Sequence, residues 1–337
     1  MYINVSMIHS CTTMRLAGCM VSLLFLSALF FLPAACSNRT TDLPPVPHSK
    51  DSSASVWRAP DTSKIPHNEY GELVRYGLSL VANTSFYYGP GGKISNQANG
   101  MNCQNCHLDG GRKPWGNNFG IVYSGYPRFR ERRGAIESIP QRVNDCFERS
   151  MNGKPIDSNS REMKAFFAWF NWLGKDVVKG TKPKGTVLEA LPYPEFAADS
   201  AKGEKIFTAY CLICHGPQGE GKLKTDSPGY TYPPLWGEHS YNTAAGMFRL
   251  SRLAAFVKNN MPFGTTHEHP ILTDEEAWNV AAFINSKPRP LKTFAKDYPN
   301  ISLKPVDHPF GPWADSFPAR QHKYGPFKPM VKKPAKP

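Results

Sequence analysis

One five-residue pattern occurs twice in this chain, as Cys103-Gln104-Asn105-Cys106-His107 and as Cys211-Leu212-Ile213-Cys214-His215. The spacing Cys-x-x-Cys-His is typical of c-type haem attachment, in which both thiols form thioethers to the porphyrin and the histidine binds the iron. Two redox or zinc-binding pairs are the alternative interpretation, but a zinc site needs a second ligand pair nearby, and neither motif is followed by one at that spacing. The sequence therefore predicts two covalently attached haem c groups. The residues that would hold them are the cysteines Cys103, Cys106, Cys211 and Cys214 and the axial histidines His107 and His215.

The segments around each motif predict a small helical domain. Apolar residues recur at helical spacing over 69–82 before the first motif, and an aromatic-rich helix is expected over 161–174 after it. Ser200 is expected to cap the helix that leads into the second motif, and Thr273 begins a capping box before a closing helix. The order helix, haem motif, loop and closing helix is typical of class I cytochrome c domains. The predicted fold class is therefore mostly α, with two tandem class I cytochrome c-like domains and a Pro-rich C-terminal strap.

Composition places the boundaries between the segments. Residues 40–66 are rich in Pro, Ser and charge and predict a tether, whereas 180–194 combine Pro and Gly with no clear periodicity and predict a linker. The aromatic residues beyond position 287 predict a strap packed over the domains rather than a free tail. The predicted segments are a signal peptide at 1–36, a tether at 37–66, a first domain at 67–180, a linker at 181–197, a second domain at 198–287 and the strap at 288–337.

The N-terminal segment predicts export. A nearly continuous apolar run at 21–32 follows Arg15 and precedes the small residues Ala34 and Ala35, which is the order of a signal peptide. The run is too short for a transmembrane helix. Cys36 is either the lipidated cysteine of a bacterial lipoprotein or a neighbour of an ordinary cleavage site near Ala35. The predicted location is the periplasm, where bacterial c-type haem is attached, and membrane contact is expected only through a lipid anchor at Cys36.

The formal net charge of +13 is compatible with a nucleic acid, a membrane, an acidic partner or an anionic substrate. Export and the lack of a nucleic-acid-binding motif argue against nucleic acid. One run of arginines lies between the first haem motif and the helix that follows it, where a role facing an anionic substrate is predicted, since guanidinium groups bind sulfur and phosphorus oxyanions through paired hydrogen bonds. The run consists of Arg128, Arg130, Arg132 and Arg133.

Each iron needs a second axial ligand or an open position. For the second haem the sequence favours Met261, which lies in the loop before the closing helix, where cytochrome c domains present a distal methionine. A thioether ligand raises the reduction potential, which suits an electron exit. The alternatives are His267, His269 and Lys258, with Met261 then part of the core.

The first iron lacks an ordinary distal histidine, because no histidine lies between His107 and His215. The candidate ligands are Met151, Met163, a lysine or Cys146. Cys146 remains without a cysteine partner once the haem motifs and the N-terminal segment are set aside, so it is expected to be reactive or to act as a ligand.

Cys146 lies on a helix predicted to start at Pro140 and to end near Asn152. Arg142, Cys146 and Ser150 are spaced by four, so they share one face of that helix. A guanidinium one turn from a sulfur favours the thiolate, which is the form that binds iron or attacks sulfur. A buried and inert cysteine is the alternative interpretation.

The stretch 141–153 reads Gln-Arg-Val-Asn-Asp-Cys-Phe-Glu-Arg-Ser-Met-Asn-Gly. Together with the haem motifs and the strap sequences at 304–307 and 321–327, it resembles the dihaem thiosulfate dehydrogenases, which form tetrathionate. The resemblance covers nearly the whole chain after the signal segment. It implies thiosulfate as the substrate and a cytochrome or another periplasmic electron acceptor as the redox partner.

The resemblance also implies roles for individual residues. His107 and Cys146 would be the axial ligands of the first, catalytic haem. In this family the distal ligand of the second haem is a lysine or a methionine, and Asn260 stands where the lysine would be, which favours Met261. The residues implied to line the substrate site are Arg132, Arg142 and Ser150.

The implied chemistry agrees with the residue types. Joining two thiosulfate dianions into tetrathionate releases two electrons, which two one-electron haems can hold, and arginines offset the repulsion between the dianions. In this hypothesis Cys146 leaves the iron and forms a transient sulfur–sulfur bond with the first thiosulfate, and the second thiosulfate attacks the adduct. Three alternatives stay open: a tetrathionate reductase working in reverse, a dihaem electron carrier without a substrate, and a subunit of a larger sulfur-oxidising complex with Cys146 as a carrier thiol.

Overall fold

The computed structural model describes residues 55–331. The predicted signal peptide, Cys36 and the tether up to residue 54 therefore lie outside the described residues. Among the described residues, no helix is long and apolar enough to span a membrane. The helices are α1 (Glu69–Ala82), α2 (Thr84–Tyr88), α3 (Leu108–Gly111), α4 (Val122–Gly125), α5 (Ile139–Arg149), α6 (Arg161–Gly174), α7 (Ser200–Tyr210), α8 (Leu212–His215), α9 (Leu250–Asn260), α10 (Asp274–Ser286) and α11 (Ala319–Tyr324). The strands form two antiparallel hairpins, β1 (Arg128–Arg130) with β2 (Ala135–Glu137) and β3 (Lys222–Leu223) with β4 (Tyr230–Tyr232).

Helices α1 and α6 form the main helix pair of the first domain, and their bounds agree with the predicted ones. Asn68 and Ser160 cap them by accepting backbone hydrogen bonds through their side chains. The two helices approach closely at Gly77, where a Cβ would lie 2.1 Å from the carbonyl oxygen of Ala165. Only glycine permits this approach, which buries Trp169 completely in the first core.

The second domain repeats this arrangement with α7 and α10. A Cβ on Gly203 of α7 would lie 2.0 Å from the carbonyl oxygen of Asn279 on α10, so the same kind of close helix approach occurs here. Trp278, Phe207 and Ile284 fill the core between these helices and α9. The two domains therefore share one packing plan, with a glycine at each helix crossing.

Of the two helix caps predicted in the second domain, the structure has the one at Thr273 and places the other at a different residue. Thr273 and Glu276 form the predicted capping box at the start of α10. The cap of α7 is Asp199, whose carboxylate accepts the amide of Ala201 at 2.7 Å, and Ser200 is the first helical residue. A carboxylate at this place also interacts favourably with the positive end of the helix dipole, which a serine hydroxyl does less well.

The two domains contact each other through buried amides. Nδ2 of Asn242, a fully buried residue, donates to the carbonyl oxygen of Glu148 at 2.8 Å and to Oδ1 of Asn152 at 3.0 Å. Nδ2 of Asn260 donates to the carbonyl oxygen of Trp115 at 3.1 Å. Buried amides need such partners, so these bonds fix the second domain against the end of α5 and against the backbone at Trp115.

The structure differs from the predicted tether over residues 55–66. Trp57 and Ile65 are buried, and the amide of Trp57 donates to the carbonyl oxygen of Lys184 at 2.9 Å. Burial of two large apolar side chains stabilises this packed arrangement, which the polar composition around them did not reveal.

The C-terminal strap packs against both domains. The guanidinium of Arg149, at the end of α5, donates to both carboxylate oxygens of Asp297 at 2.6 and 2.8 Å and lies 3.8 Å from the ring centre of Phe294. Further along, Phe327 is completely buried in the core of the second domain. The strap thus connects the end of α5 to the second core.

We expect Asp297→Asn to lower the free energy of unfolding of the haem-loaded protein by about 2–3 kcal/mol, because it leaves the nearly buried Arg149 without its bidentate partner. Denaturant unfolding followed by circular dichroism measures this change. Glu275→Gln is the matched control, since it breaks the exposed Lys202–Glu275 pair and should cause no measurable change. Equal losses in the two variants would contradict the role assigned to Asp297.

Candidate haem and catalytic sites

The first haem motif forms a tight turn that orients His107 for iron. Nδ1 of His107 is 2.5 Å from the carbonyl oxygen of Asn117, and its ring stacks on Phe119 with ring centres 4.3 Å apart. Burial, with a smaller contribution from the nearby Arg142, lowers the pKa of His107 to about 4, so the imidazole is neutral. An imidazole held at Nδ1 by a carbonyl leaves Nε2 free, which is the usual arrangement of an iron-binding histidine.

The second motif repeats this orientation. Nδ1 of His215 is 2.8 Å from the carbonyl oxygen of Pro233. Burial lowers the pKa of His215, although the contact with Pro233 opposes the shift. Both motifs therefore present a neutral imidazole whose second nitrogen is available to a metal.

Each motif lines a cavity of the size expected for a cofactor. A cavity of about 410 Å³ has Cys103 and His107 on its wall, and we call it the Cys146 cavity, because it also includes Cys146. A second cavity of about 620 Å³ is lined by Cys211, Cys214, His215 and Met261, and we call it the Met261 cavity. In the Met261 cavity both thiols and the imidazole of the second motif share one wall, whereas the first motif presents Cys103 and His107 to the Cys146 cavity and Cys106 to the Met261 cavity. Two thiols beside a free imidazole nitrogen are the donor set that a covalently attached haem requires, so the residues of each motif fit this group.

The Cys146 cavity contains three of the predicted candidates for the distal ligand. Cys146, Met151 and Lys182 line it, whereas Met163 is buried in the core away from the lining. Ligation of the first iron by Cys146 stays a prediction.

Helix α5 places Cys146 beside a guanidinium. Ser138 caps the helix in a capping box with Gln141, so α5 starts at Ile139, as the proline at the next position favours. Arg142 lies one turn before Cys146 and also lines the cavity. The charge of the Cys146 thiolate is the largest cause that raises the pKa of Arg142, and among the described residues no carboxylate forms an ion pair with this arginine.

Two other predicted site residues lie elsewhere. Arg132 is not among the residues that line the Cys146 cavity, and its carbonyl oxygen accepts the amide of Tyr298 in the strap at 2.7 Å. Ser150 is the C-cap of α5, where its amide donates to the carbonyl oxygen of Cys146 at 2.9 Å. The cavity therefore brings together Cys146 and Arg142, and the roles of Arg132 and Ser150 stay predictions.

Sequence reasoning missed part of the charge at this cavity. Lys182 from the linker and Arg252 from α9 of the second domain both line it, together with Arg128 from the arginine run. No motif links Arg252 to the first haem, because the two lie in different domains. The sequence signal for Arg252 was weak, because α9 carries a second cation, Lys258, and two asparagines near its end.

At the second haem the alternatives to Met261 have other partners. Nζ of Lys258 donates to the carbonyl oxygen of Leu272 and pairs with Asp274, both at 2.8 Å. His267 is held by Asn259 at 2.7 Å and by Glu189 at 3.1 Å, and the exposed His269 does not line the Met261 cavity. The geometry is therefore consistent with Met261, whose role as the distal ligand stays a prediction.

We expect Met261→Ala to lower the reduction potential of one haem by on the order of 100 mV and to remove the near-infrared absorption of methionine-ligated ferric haem, because a thioether ligand favours the reduced iron. Redox titration of the oxidised protein, followed by absorbance, measures both. Met247→Leu is the matched control, since Met247 lines the same cavity and the substitution conserves volume. If Met261→Ala left both properties unchanged, Met261 would not be the ligand.

Comparison with known proteins places these features in a family. The model "SoxA/TsdA, cytochrome c domain" matches residues 93–177, and the model "Cytochrome c" matches residues 200–288. The thiosulfate dehydrogenase of Stutzerimonas stutzeri is 37% identical over 246 residues, which are 72% of this chain and 75% of that protein. This chain belongs to the thiosulfate dehydrogenase family. The thiosulfate dehydrogenase of Psychrobacter arcticus is likewise 37% identical, over 248 residues that make up 72% of each chain.

A solved member of the thiosulfate dehydrogenase family has the same fold. The thiosulfate dehydrogenase (TsdBA) from Marichromatium purpuratum, in its as-isolated form, superposes with a TM-score of 0.65 at 32% sequence identity. The match covers 70% of this chain and 50% of that one, so this chain spans about half the length of the solved protein. The predictions of two cytochrome c domains, of two covalently bound haem c groups and of the family itself are thus confirmed.

Proposed function

We propose that this chain oxidises two thiosulfates to one tetrathionate in the periplasm and passes two electrons to an external acceptor, a cytochrome or another periplasmic redox protein. The observation that supports this most directly is the wall of the Cys146 cavity, where a free thiol and the unpaired guanidinium of Arg142 lie one helical turn apart beside a haem motif. Four relatives that are 31–37% identical carry the name thiosulfate dehydrogenase.

Cys146 provides the sulfur nucleophile. Its thiolate and the outer sulfur of the first thiosulfate form a sulfur–sulfur bond, which releases two electrons and leaves the thiosulfate bound to the cysteine as a persulfide-linked sulfonate. The outer sulfur of the second thiosulfate then attacks the sulfur that is bonded to the cysteine in this adduct, which was the outer sulfur of the first thiosulfate. Tetrathionate leaves and the Cys146 thiolate is restored without further electron transfer, so each tetrathionate corresponds to two electrons.

Arg142 offsets the negative charge that collects around Cys146. Its guanidinium stays protonated and can donate paired hydrogen bonds to sulfonate oxygens. No aspartate or glutamate is among the described residues that line the cavity, so no fixed negative charge on this wall opposes a dianion. When bound, the two haems supply two one-electron acceptors, which matches the two electrons released.

The first haem motif borders both cavities, which supports a short path for the electrons. Cys103 lines the Cys146 cavity, whereas Cys106 lines the Met261 cavity. Large apolar side chains are exposed next to the second motif, and Phe263, on the wall of the Met261 cavity, is 94% exposed. This surface is where an external acceptor would come closest to the second haem.

Reduction by thiosulfate alone tests the proposal against an electron carrier without a substrate. The haem-loaded, oxidised protein is mixed anaerobically with thiosulfate, and haem absorbance is followed. We expect reduction that stops at or below two electrons per chain, with tetrathionate present in the mixture. If thiosulfate reduced neither haem while dithionite reduced both, the chain would be a carrier and the proposal would be wrong.

A further inference from the structure

The Cys146 cavity includes a cation that the cysteine chemistry does not use. Arg252 lies on α9 of the second domain, yet its side chain lines the cavity of the first domain together with Cys146 and Arg142. The residue is exposed, which places it at the mouth of the cavity. The wall of the catalytic cavity is therefore incomplete without the second domain.

Arg249 and Arg130, the arginines whose charges act on Arg252, each pair with a carboxylate, whereas Arg252 does not. Arg249 pairs with the buried Asp307, and Arg130 pairs with the buried Glu137 at 3.5 Å. Among the described residues, no carboxylate oxygen lies within ion-pair distance of Arg252. Desolvation and the nearby charges of Arg249 and Arg130 lower the pKa of Arg252, and the attraction of Asp307 opposes this shift only in part. Its positive charge is thus poorly compensated by the protein, and a bound anion would stabilise it.

The cations of the cavity come from four different segments. The reaction needs more than one of them, because it brings two anions into the same cavity. Arg142 belongs with Cys146 on α5, and Nε of Arg128 on β1 is buried without a hydrogen-bond partner among the described residues. Lys182 and Arg252 are exposed, on the linker and on α9. The second thiosulfate dianion must approach the anionic sulfonate of the adduct on Cys146, and the single charge of Arg142 cannot neutralise both.

We propose that Arg252 forms a second anion subsite, which holds the incoming thiosulfate while Arg142 holds the first one at Cys146. The ligand is a sulfur oxyanion with two or more anionic oxygens, which a planar guanidinium binds through paired hydrogen bonds. The subsite lowers the repulsion between the anionic adduct and the incoming dianion, and it directs the outer sulfur of the second thiosulfate towards the cysteine adduct. This inference rests on the proposed function, and Arg252 acts as a binding and positioning residue.

A haem propionate offers the same chemistry, because its carboxylate also presents paired anionic oxygens to a guanidinium. The two sources differ in what they change. Loss of a propionate partner alters the potential of the haem, since a charge near the macrocycle changes the stability of the ferric form. Loss of a substrate subsite alters the dependence of rate on thiosulfate and leaves the potentials unchanged.

The test compares Arg252→Gln with Arg320→Gln in the haem-loaded full chain. Arg320 is exposed on α11 outside both cavities, so its variant removes the same charge without touching either site. We expect Arg252→Gln to raise the KM for thiosulfate about tenfold with kcat within about twofold of the parent, and Arg252→Lys to recover part of the loss. We expect Arg320→Gln to leave KM unchanged, and redox titration to give the same two haem potentials in all variants.

Two results would overturn the subsite alone. One is an unchanged KM in Arg252→Gln, and the other is a haem potential that shifts in this variant but not in Arg320→Gln, which would assign Arg252 to a propionate. Parent protein with both haems and no thiosulfate turnover would overturn the proposed function and the subsite with it. Normal parental turnover therefore separates the failure of the subsite from the failure of the function.

Discussion

Replacing Cys146 with alanine is expected to lower kcat for thiosulfate oxidation by roughly 10³-fold or more, while both haems stay attached. Alanine keeps α5 helical and removes only the sulfur, so the rest of the cavity wall should be preserved. The loss is large because no other thiol among the described residues is free of the haem motifs. Steady-state oxidation with an artificial acceptor measures the rate, and the mass of the intact protein reports two haems per chain.

Met151→Leu is the matched control for this experiment. Met151 lines the same cavity and was a candidate ligand of the first iron, and leucine conserves its volume. We expect the control to keep turnover within about threefold of the parent. Full turnover in Cys146→Ala with two haems attached would rule out the cysteine chemistry, and loss of turnover in Met151→Leu alone would transfer the role to the methionine.

Arg142→Gln is expected to lower kcat/KM for thiosulfate by roughly 10²-fold, because it removes the charge that faces both the thiolate and the first dianion. Arg142→Lys should recover only part of this loss, since lysine keeps the charge but lacks the planar pair of donors. Steady-state kinetics at constant ionic strength separates KM from kcat in both variants.

Arg320→Gln again serves as the control for net charge. If Arg142→Gln and Arg320→Gln had the same small effect, the cation beside Cys146 would have no part in binding or chemistry. The same kinetics on Arg132→Gln test the role that the family resemblance implies for Arg132, because this residue lies outside the cavity lining.

Much of the fold could be predicted because its signals are local. The apolar spacing over α1 and α6 and the Thr273 capping box are patterns within one turn or one helix, and the structure reproduces them. The cap of α7 was misplaced by one residue, because Asp199 and Ser200 are adjacent and both favour N-caps. Packing of Trp57 and Ile65 could not be predicted, since it depends on distant parts of the first domain.

The candidate site was predictable only as far as one helix extends. The four-residue spacing of Arg142 and Cys146 places both on one face of α5, and the structure puts both on the cavity wall. The arginine run, in contrast, starts on β1 and continues into the turn before β2, and its members have different roles: Arg130 pairs with Glu137, whereas Arg128 lines the cavity. Arg252 comes from the other domain, and its position depends on how the domains pack.

The most direct test of the proposed reaction is thiosulfate oxidation by the haem-loaded mature protein with a one-electron artificial acceptor, with tetrathionate and reduced acceptor quantified in the same sample. The proposed cysteine chemistry yields one tetrathionate for every two thiosulfates consumed and for every two acceptor molecules reduced. Thiosulfate consumption with sulfite or sulfate as the product, or no turnover by protein that contains both haems, would contradict it.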